Sequence, residues 1–154
     1  MPRLQFETVL RCTPEQLWDF HSSAAALRVL TPPSKQVEVI GEDLAVRDGA
    51  IHKIRVRQFG LPLVWVARIE QVQPPHQFVD VAVKSPFKSW THRHEFLAHA
   101  EGALLRDTID FEMPLGPLGS LVYALIVRRD LESMFAHRHK ATKEALESGR
   151  GVSG

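Results

Sequence analysis

The sequence predicts an α+β protein in which a seven-stranded antiparallel sheet wraps around one long C-terminal helix, with two short helices after the first strand. Two observations carry this prediction. Seven short runs of strand-forming residues are joined mostly by tight connections, and a proline-free stretch with helical periodicity lies near the C-terminus. The 154 residues match the size of one domain. We therefore expect a single domain over residues 1–147 and a flexible tail over 148–154.

The first strand and the short helices follow from local patterns. Residues 4–10 mostly alternate between apolar and polar side chains, the two-residue period of a half-buried strand. Thr13 can cap a helix with Pro14 in its first turn, and Gln16 lies where it completes a capping box. A second short helix is expected over 24–30, because the prolines that follow must end it.

Six further strands and the long helix complete the pattern. The strands are predicted over 37–40, 50–59, 63–72, 78–83, 89–98 and 103–113. The helix is predicted over 118–146, with an apolar stripe formed by Ala124, Val127, Leu131, Met134, Phe135, Ala145 and Leu146. Loops too short for a parallel crossover make the sheet antiparallel. A long amphipathic helix lying across the concave face of such a sheet defines a helix-grip fold.

Alternation along the strands assigns side chains to the face that looks at this helix. On the strand over 89–98 the inward set is Trp90, His92, His94 and Phe96. On the next strand the same face carries Asp107, its one carboxylate, together with Ile109 and Phe111. Both histidines and the aspartate are therefore expected in the interior.

Counting back from the hairpin loops predicts the register. A four-residue loop that pairs Ala98 with Ala103 sets His94 opposite Asp107, within hydrogen-bonding range. We expect Asp107 to bond to His94, to His92 or to a water that they share, since an unpaired buried ion costs several kcal/mol.

A second hairpin is treated in the same way. Pairing Phe59 with Pro62 sets His52 opposite Ile69 and turns His52 inward. The pattern does not decide which face of the strand over 78–83 points inward. Val79, Val81 and Val83 share one face, Phe78, Asp80 and Ala82 share the other, and a bulge can exchange the two faces.

Composition excludes several classes of partner. Nineteen basic and eighteen acidic residues leave a net charge of +1, so no nucleic-acid partner is expected. No apolar run approaches the roughly 20 residues of a membrane span, which argues against membrane insertion. The single cysteine, Cys12, cannot form an internal disulfide, and the N-terminus has no apolar signal region, so we expect a cytoplasmic protein. Cys12 itself is expected to be a buried, inert thiol.

One stretch of sequence resembles a known family. Residues 86–96, Pro-Phe-Lys-Ser-Trp-Thr-His-Arg-His-Glu-Phe, followed by Asp107 and by Pro-Leu-Gly-Pro-Leu-Gly over 114–119, resemble a bacterial branch of the START/Bet v 1-like (SRPBCC) superfamily. That branch is labelled ligand-binding or polyketide cyclase/dehydrase-like. The resemblance extends over about residues 4–143 and implies a helix-grip fold around a pocket for a hydrophobic small molecule. It implies Trp90, His92, His94 and Asp107 as lining residues and does not imply a reaction.

The polar cluster admits four interpretations. His92, His94 and Asp107 could orient a ligand, act as general acid and base, bind a metal, or form an interior hydrogen-bond network. Without a defined spacing signature the metal interpretation is the least favoured, and we expect no metal or cofactor. His137 and His139 are two apart on a helix and do not share a face, which favours solvated side chains.

The remaining assignments concern walls and surfaces. The three tryptophans, Trp18, Trp65 and Trp90, are interpreted as cavity walls, which this fold needs. The basic strand residues Lys53, Arg55, Arg57 and Arg68 are assigned to the solvated outer face of the sheet.

Three functions are considered. The leading hypothesis is binding of a small hydrophobic or aromatic ligand between sheet and helix, through Trp65, Trp90, His92, His94, Asp107, Ile109 and Phe111. The alternative is a cyclase- or dehydratase-like enzyme in which His92 or His94 moves a proton and Asp107 orients it. The third is a protein-interaction module using the outer sheet or the apolar helix start at 121–127. The oligomeric state is left open.

Overall fold

The computed structural model describes residues 2–58 and 60–147, so the expected tail over 148–154 lies outside the described residues. The strands are β1 (Arg3–Leu10), β2 (Glu38–Ile40), β3 (Ile51–Gln58), β4 (Leu61–Gln73), β5 (Gln77–Lys84), β6 (Ser89–His99) and β7 (Gly102–Glu112). They form one antiparallel sheet in the order β1-β7-β6-β5-β4-β3-β2. The predicted seven-stranded sheet is confirmed.

The helical segments follow the predicted order. They are α1 (Pro14–His21), a 3-10 turn (Ala24–Ala26), α2 (Leu27–Leu30), a second 3-10 turn (Pro33–Lys35), α3 (Gly116–Val122), a π-helical turn (Tyr123–Val127) and α4 (Arg128–Glu147). The capping box of α1 is present, because Gln16 N donates to Thr13 Oγ1 at 3.1 Å and Thr13 N donates to Gln16 Oε1 at 2.9 Å. Within the described residues no helix is both long and apolar enough to cross a membrane.

The last three helical segments run on without a break and form the C-terminal helix (116–147). Its inward side buries Val127, Leu131, Met134 and Phe135 against aromatic and aliphatic residues of the sheet. Ala124 of the predicted stripe is exposed instead. The wider π-helical turn shifts the inward face by one position, and Tyr123 packs against this core with its ring centroid 5.3 Å from that of Phe111.

The β6–β7 hairpin has the predicted register. Ala98 pairs with Ala103, and His94 lies directly opposite Asp107. Gly102 closes the hairpin with φ at +138°, and a Cβ at this position would collide with the Leu10 carbonyl oxygen. Glycine is therefore required where this turn packs against the end of β1.

The β3–β4 register differs from the prediction by two residues. Gln58 pairs with Leu61, so His52 lies opposite Ala67 and not opposite Ile69. Pro62 therefore pairs with Arg57 and not with Phe59, which lies outside the described residues, and Gly60, in the left-handed region with φ at +77°, directly precedes β4. Since an even shift preserves the face of every side chain, His52 is still buried.

Cross-strand pairing settles the two faces of β5. Phe78 lies opposite His94, and Asp80 lies opposite His92. These side chains therefore face inward with the histidines. The outer face carries Lys53, Arg55, Arg57 and Arg68, which are exposed as predicted.

Candidate functional site

A cavity lies between the inner face of the sheet, the short helices and the C-terminal helix. Its volume is about 140 Å³. The apolar part of the wall includes Ala24, Leu27, Leu30, Ile54, Val56, Trp65, Ala67, Trp90 and Met134. Its polar part is concentrated on Asp80, His92, His94, Asp107, Arg138 and His139. Alternation on β5 to β7 projects the strand residues of this polar part to one side of the sheet, and the helix supplies the other two.

Five of the seven residues expected at the ligand line this cavity, namely Trp65, Trp90, His92, His94 and Asp107. The structure places Ile109 and Phe111 in the core instead, in one cluster with Val127 and Leu131 of the C-terminal helix and outside the cavity lining. Trp18, on α1, also packs in the core, with its ring edge-to-face against Phe78 of β5 and Phe96 of β6.

Two carboxylates bracket a stacked pair of imidazoles. The rings of His92 and His94 lie 3.7 Å apart with an interplanar angle of 26°. His92 Nε2 donates to Asp107 Oδ1 at 2.7 Å, and His94 Nε2 donates to Asp80 Oδ2 at 2.6 Å. The other two nitrogens face the opposite carboxylates, with His92 Nδ1 3.6 Å from Asp80 Oδ2 and His94 Nδ1 3.4 Å from Asp107 Oδ1. Every ring nitrogen of the pair therefore faces a carboxylate oxygen.

Asp107 is the most strongly held group of the cluster. Its Oδ1 accepts from His92, and its Oδ2 accepts from His139 Nε2 at 2.7 Å. Burial by itself raises the pKa of Asp107, but the hydrogen bonds from His139 and His92 outweigh it and hold this pKa well below its ordinary value. The expectation that Asp107 is paired is confirmed, although the bond comes from the diagonal neighbour and not from His94 opposite.

His139 belongs to the polar cluster. The prediction of a solvated side chain is wrong, because His139 is buried and bonded to Asp107. A signal was available, since position 139 follows Leu131 and Phe135 at four-residue steps along the inward side of the helix. His137 projects differently and is half-buried.

Asp80 was left undecided by the strand pattern and belongs to the site. Burial raises its pKa, but the charge of His92 and the hydrogen bond from His94 have the larger combined effect, so the pKa lies below its usual value. Burial lowers the pKa of His94, which favours its neutral form. Asp80, His92 and His94 each offer one ligand atom, all within 4.8 Å of one another, so these residues could hold a metal ion.

Arg138 brings an unpaired donor to the cavity. Its guanidinium lies 5.1 Å from the Phe135 ring centroid, and its buried Nε has no hydrogen-bond partner among the described residues. Burial lowers the pKa of Arg138, which the charges of Asp107 and Asp80 partly oppose. No pattern in the sequence distinguishes Arg138 from the solvated helix positions beside it.

Three further titratable groups lie on the cavity wall, His21, Lys35 and His52, and His52 Nε2 lies 2.9 Å from the Ala45 carbonyl oxygen. His21 places Nδ1 2.8 Å from the Leu17 carbonyl oxygen, and burial lowers its pKa to about 4. Lys35 Nζ donates to Asp130 Oδ1 at 2.7 Å and ties the second 3-10 turn to α4. Cys12 is buried as expected and lies away from the cavity, and burial raises the pKa of its thiol.

A family model described as "Polyketide cyclase / dehydrase and lipid transport" matches residues 10–138. No curated protein matches the sequence. Many solved structures share the fold.

Three of these structures illustrate the range. A Rhodobacter sphaeroides protein is 16% identical with a TM-score of 0.70, over 95% of this chain and 93% of that chain. The protein Ara h 8.0201 is 12% identical with a TM-score of 0.63, over 92% and 97% of the two chains. A nucleoside-diphosphate sugar epimerase from Corynebacterium glutamicum is 26% identical with a TM-score of 0.65, and the match covers 94% of this chain but 29% of the epimerase.

Proposed function

Because the chain belongs to the polyketide cyclase/dehydrase and lipid transport family of the START/Bet v 1-like superfamily, we propose that it binds a small hydrophobic or aromatic ligand in the cavity. The observation that carries the proposal is the division of the cavity wall into an apolar part and one polar cluster. Ligand sites combine these features, because apolar walls supply affinity and a few polar groups fix orientation. The cytoplasm as the place of action stays a prediction.

The volume of the cavity limits the size of the ligand. A cavity near 150 Å³ in another protein accommodates benzene, and the volume here is about 140 Å³. A single aromatic ring or a short aliphatic chain therefore fits without rearrangement. A larger ligand requires the short helices to move away from the C-terminal helix.

The ligand is expected to carry an acceptor oxygen. The Arg138 Nε is buried and lacks a partner among the described residues, which costs about 1–3 kcal/mol where no water replaces it. A carbonyl, phenol or carboxylate oxygen on the ligand would accept from this group while the ring packs against Trp65 and Trp90, which contact each other edge to face and form one aromatic wall of the cavity.

Thermal denaturation with a library of single-ring and short-chain compounds tests the proposal. A ligand at 100 times its Kd stabilises a protein by about 2.7 kcal/mol. For a chain of this size that corresponds to a rise in Tm of about 5–10 °C. Compounds with an acceptor oxygen should give the largest shifts.

A matched pair of variants controls this experiment. Ala67→Trp fills the cavity and should abolish the shift, whereas Val83→Trp adds the same side chain on the outer face, where Val83 is 58% exposed. The proposal is wrong if no compound stabilises the wild type, or if Ala67→Trp responds as strongly as Val83→Trp.

A cyclase- or dehydratase-like enzyme is the second candidate. The observation that favours it is the hydrogen bond from His92 to Asp107, because a carboxylate that fixes an imidazole prepares it for proton transfer. His94, bonded to Asp80, is the other candidate acid or base. Incubation with small polyketone substrates and mass analysis of the products tests this function. Product formation that survives both His92→Gln and His94→Gln would rule out these roles.

A protein-interaction module is the third candidate. The start of the C-terminal helix exposes Leu118, Leu121, Leu125 and Ile126, each with more than half of its surface accessible. Such a run of exposed apolar side chains is typical of contact surfaces. Sedimentation of the wild type against Leu121→Lys measures whether this surface associates, and identical sedimentation of the two would argue against self-association.

A further inference from the structure

Asp80, His92 and His94 have the arrangement of a metal-binding triad. The two histidines are two residues apart on β6 and face the same side, and Asp80 lies directly opposite His92 on β5. One ligand atom from each residue lies within 4.8 Å of the others. Two imidazoles and one carboxylate leave coordination positions open, here toward the cavity.

The outward nitrogens of the histidines are already supported. A metal-binding histidine commonly donates its other ring N–H to a carboxylate, which fixes its tautomer and orientation. Asp107 Oδ1 lies 2.7 Å from His92 Nε2 and 3.4 Å from His94 Nδ1, on the side opposite Asp80. Asp107 is in turn held by His139 at 2.7 Å. The cluster thus contains both candidate ligands and the groups that orient them.

Charge balance also favours a cation. Asp80 and Asp107 bring two negative charges into a poorly solvated site, and Arg138 on the same cavity wall supplies one positive charge. With neutral histidines one negative charge is left over, which a bound cation offsets. Imidazole with carboxylate suits zinc and iron.

We propose that Asp80, His92 and His94 bind a divalent transition-metal ion such as Zn²⁺ or Fe²⁺, with Asp107 and His139 as orienting residues. The stacked rings, 3.7 Å apart, turn so that their lone pairs converge on the ion. The ion displaces the hydrogen bond from His94 to Asp80. Its open positions, next to Arg138, accept water or an oxygen of a bound molecule. The metal site does not depend on binding of an organic ligand.

Titration of untagged, chelator-treated protein with Co²⁺ and Zn²⁺ tests the proposal without any organic ligand. We expect one ion per chain and visible d–d absorption from Co²⁺ in an imidazole and carboxylate environment. Asp80→Asn keeps the side-chain shape and should weaken binding by more than about 100-fold, because replacing an anionic ligand with a neutral amide costs more than the 10- to 100-fold loss of an orienting carboxylate. Asp107→Asn should weaken binding about 10- to 100-fold while the absorption spectrum keeps its form.

Exposed histidines supply the control. His76 and His99 are exposed and lie outside the cavity, so His76→Gln and His99→Gln should bind the ion as the wild type does. His94→Gln gives a second loss of a ligand, and circular dichroism checks that each variant is folded. Absence of binding to the wild type, or equal affinity in Asp80→Asn, would overturn the proposal and leave the proposed ligand binding unaffected.

Discussion

Removal of the Asp107 carboxylate should destabilise the protein more than any other single change at the site. Asp107 accepts from both His92 and His139, and all three are buried. Breaking a buried ion pair by removing one partner costs about 3–5 kcal/mol, because the donors stay buried without an acceptor. We expect Asp107→Ala to lower the free energy of unfolding by this amount, or Tm by about 6–20 °C.

Two further substitutions at position 107 separate the effect of the lost side-chain volume from that of the lost charge. Asp107→Leu also strands the two histidines but fills the space, so it should cost about 1–2 kcal/mol less than Asp107→Ala. Asp107→Asn keeps one acceptor oxygen and the shape, so we expect a cost of about 1–3 kcal/mol as charge-assisted bonds become neutral ones.

Urea unfolding at pH 7 with a chelator present, followed by circular dichroism and tryptophan fluorescence, measures these costs. Glu101→Ala, at an exposed position in the same hairpin, is the control and should change the free energy of unfolding by less than about 0.5 kcal/mol. A cost below about 1 kcal/mol for Asp107→Ala would refute the assignment of the buried network.

Three other predictions test the fold around the site. Burial lowers the pKa of His21 to about 4, below its value in the unfolded chain. The contribution of neutral His21 to the free energy of unfolding should therefore be complete above about pH 6.5 and fall by about 3 kcal/mol on acidification to pH 4. Urea unfolding across this range should show a smaller fall for His21→Phe; equal slopes would contradict the assignment. Gly102→Ala places a Cβ against the Leu10 carbonyl and should lower the unfolding free energy by about 1–3 kcal/mol, whereas no loss would show that the hairpin shifts freely. Cys12, which is buried, should react with a thiol reagent many times more slowly in native protein than in denaturant; equal rates would show that it is accessible.

Local patterns predicted the register of the β6–β7 hairpin and the side chains that face inward from it. The count from the loop set His94 opposite Asp107, as observed. The same count on β3–β4 was wrong by two residues, because the turn comes one residue earlier in the chain than expected and Pro62 pairs with Arg57. The inward and outward faces of these strands were still predicted correctly, because the register error was an even number of residues. The position of the turn along the chain is thus what such counting predicts poorly, whereas the alternation of faces along a strand is predicted well.

The amino-acid sequence alone determined the sheet, the long helix, the inward faces of β6 and β7, and the presence of histidines beside a buried carboxylate. These properties depend on periodicity and turn residues, which act over a few positions of the chain. Only the tertiary structure decided the composition of the polar cluster. His139 meets Asp107 across 32 residues, and Asp80 joins through the packing of β5 on β6. Contacts between remote elements depend on the position of the helix on the sheet. That position results from the packing of all core side chains together and not from any local pattern.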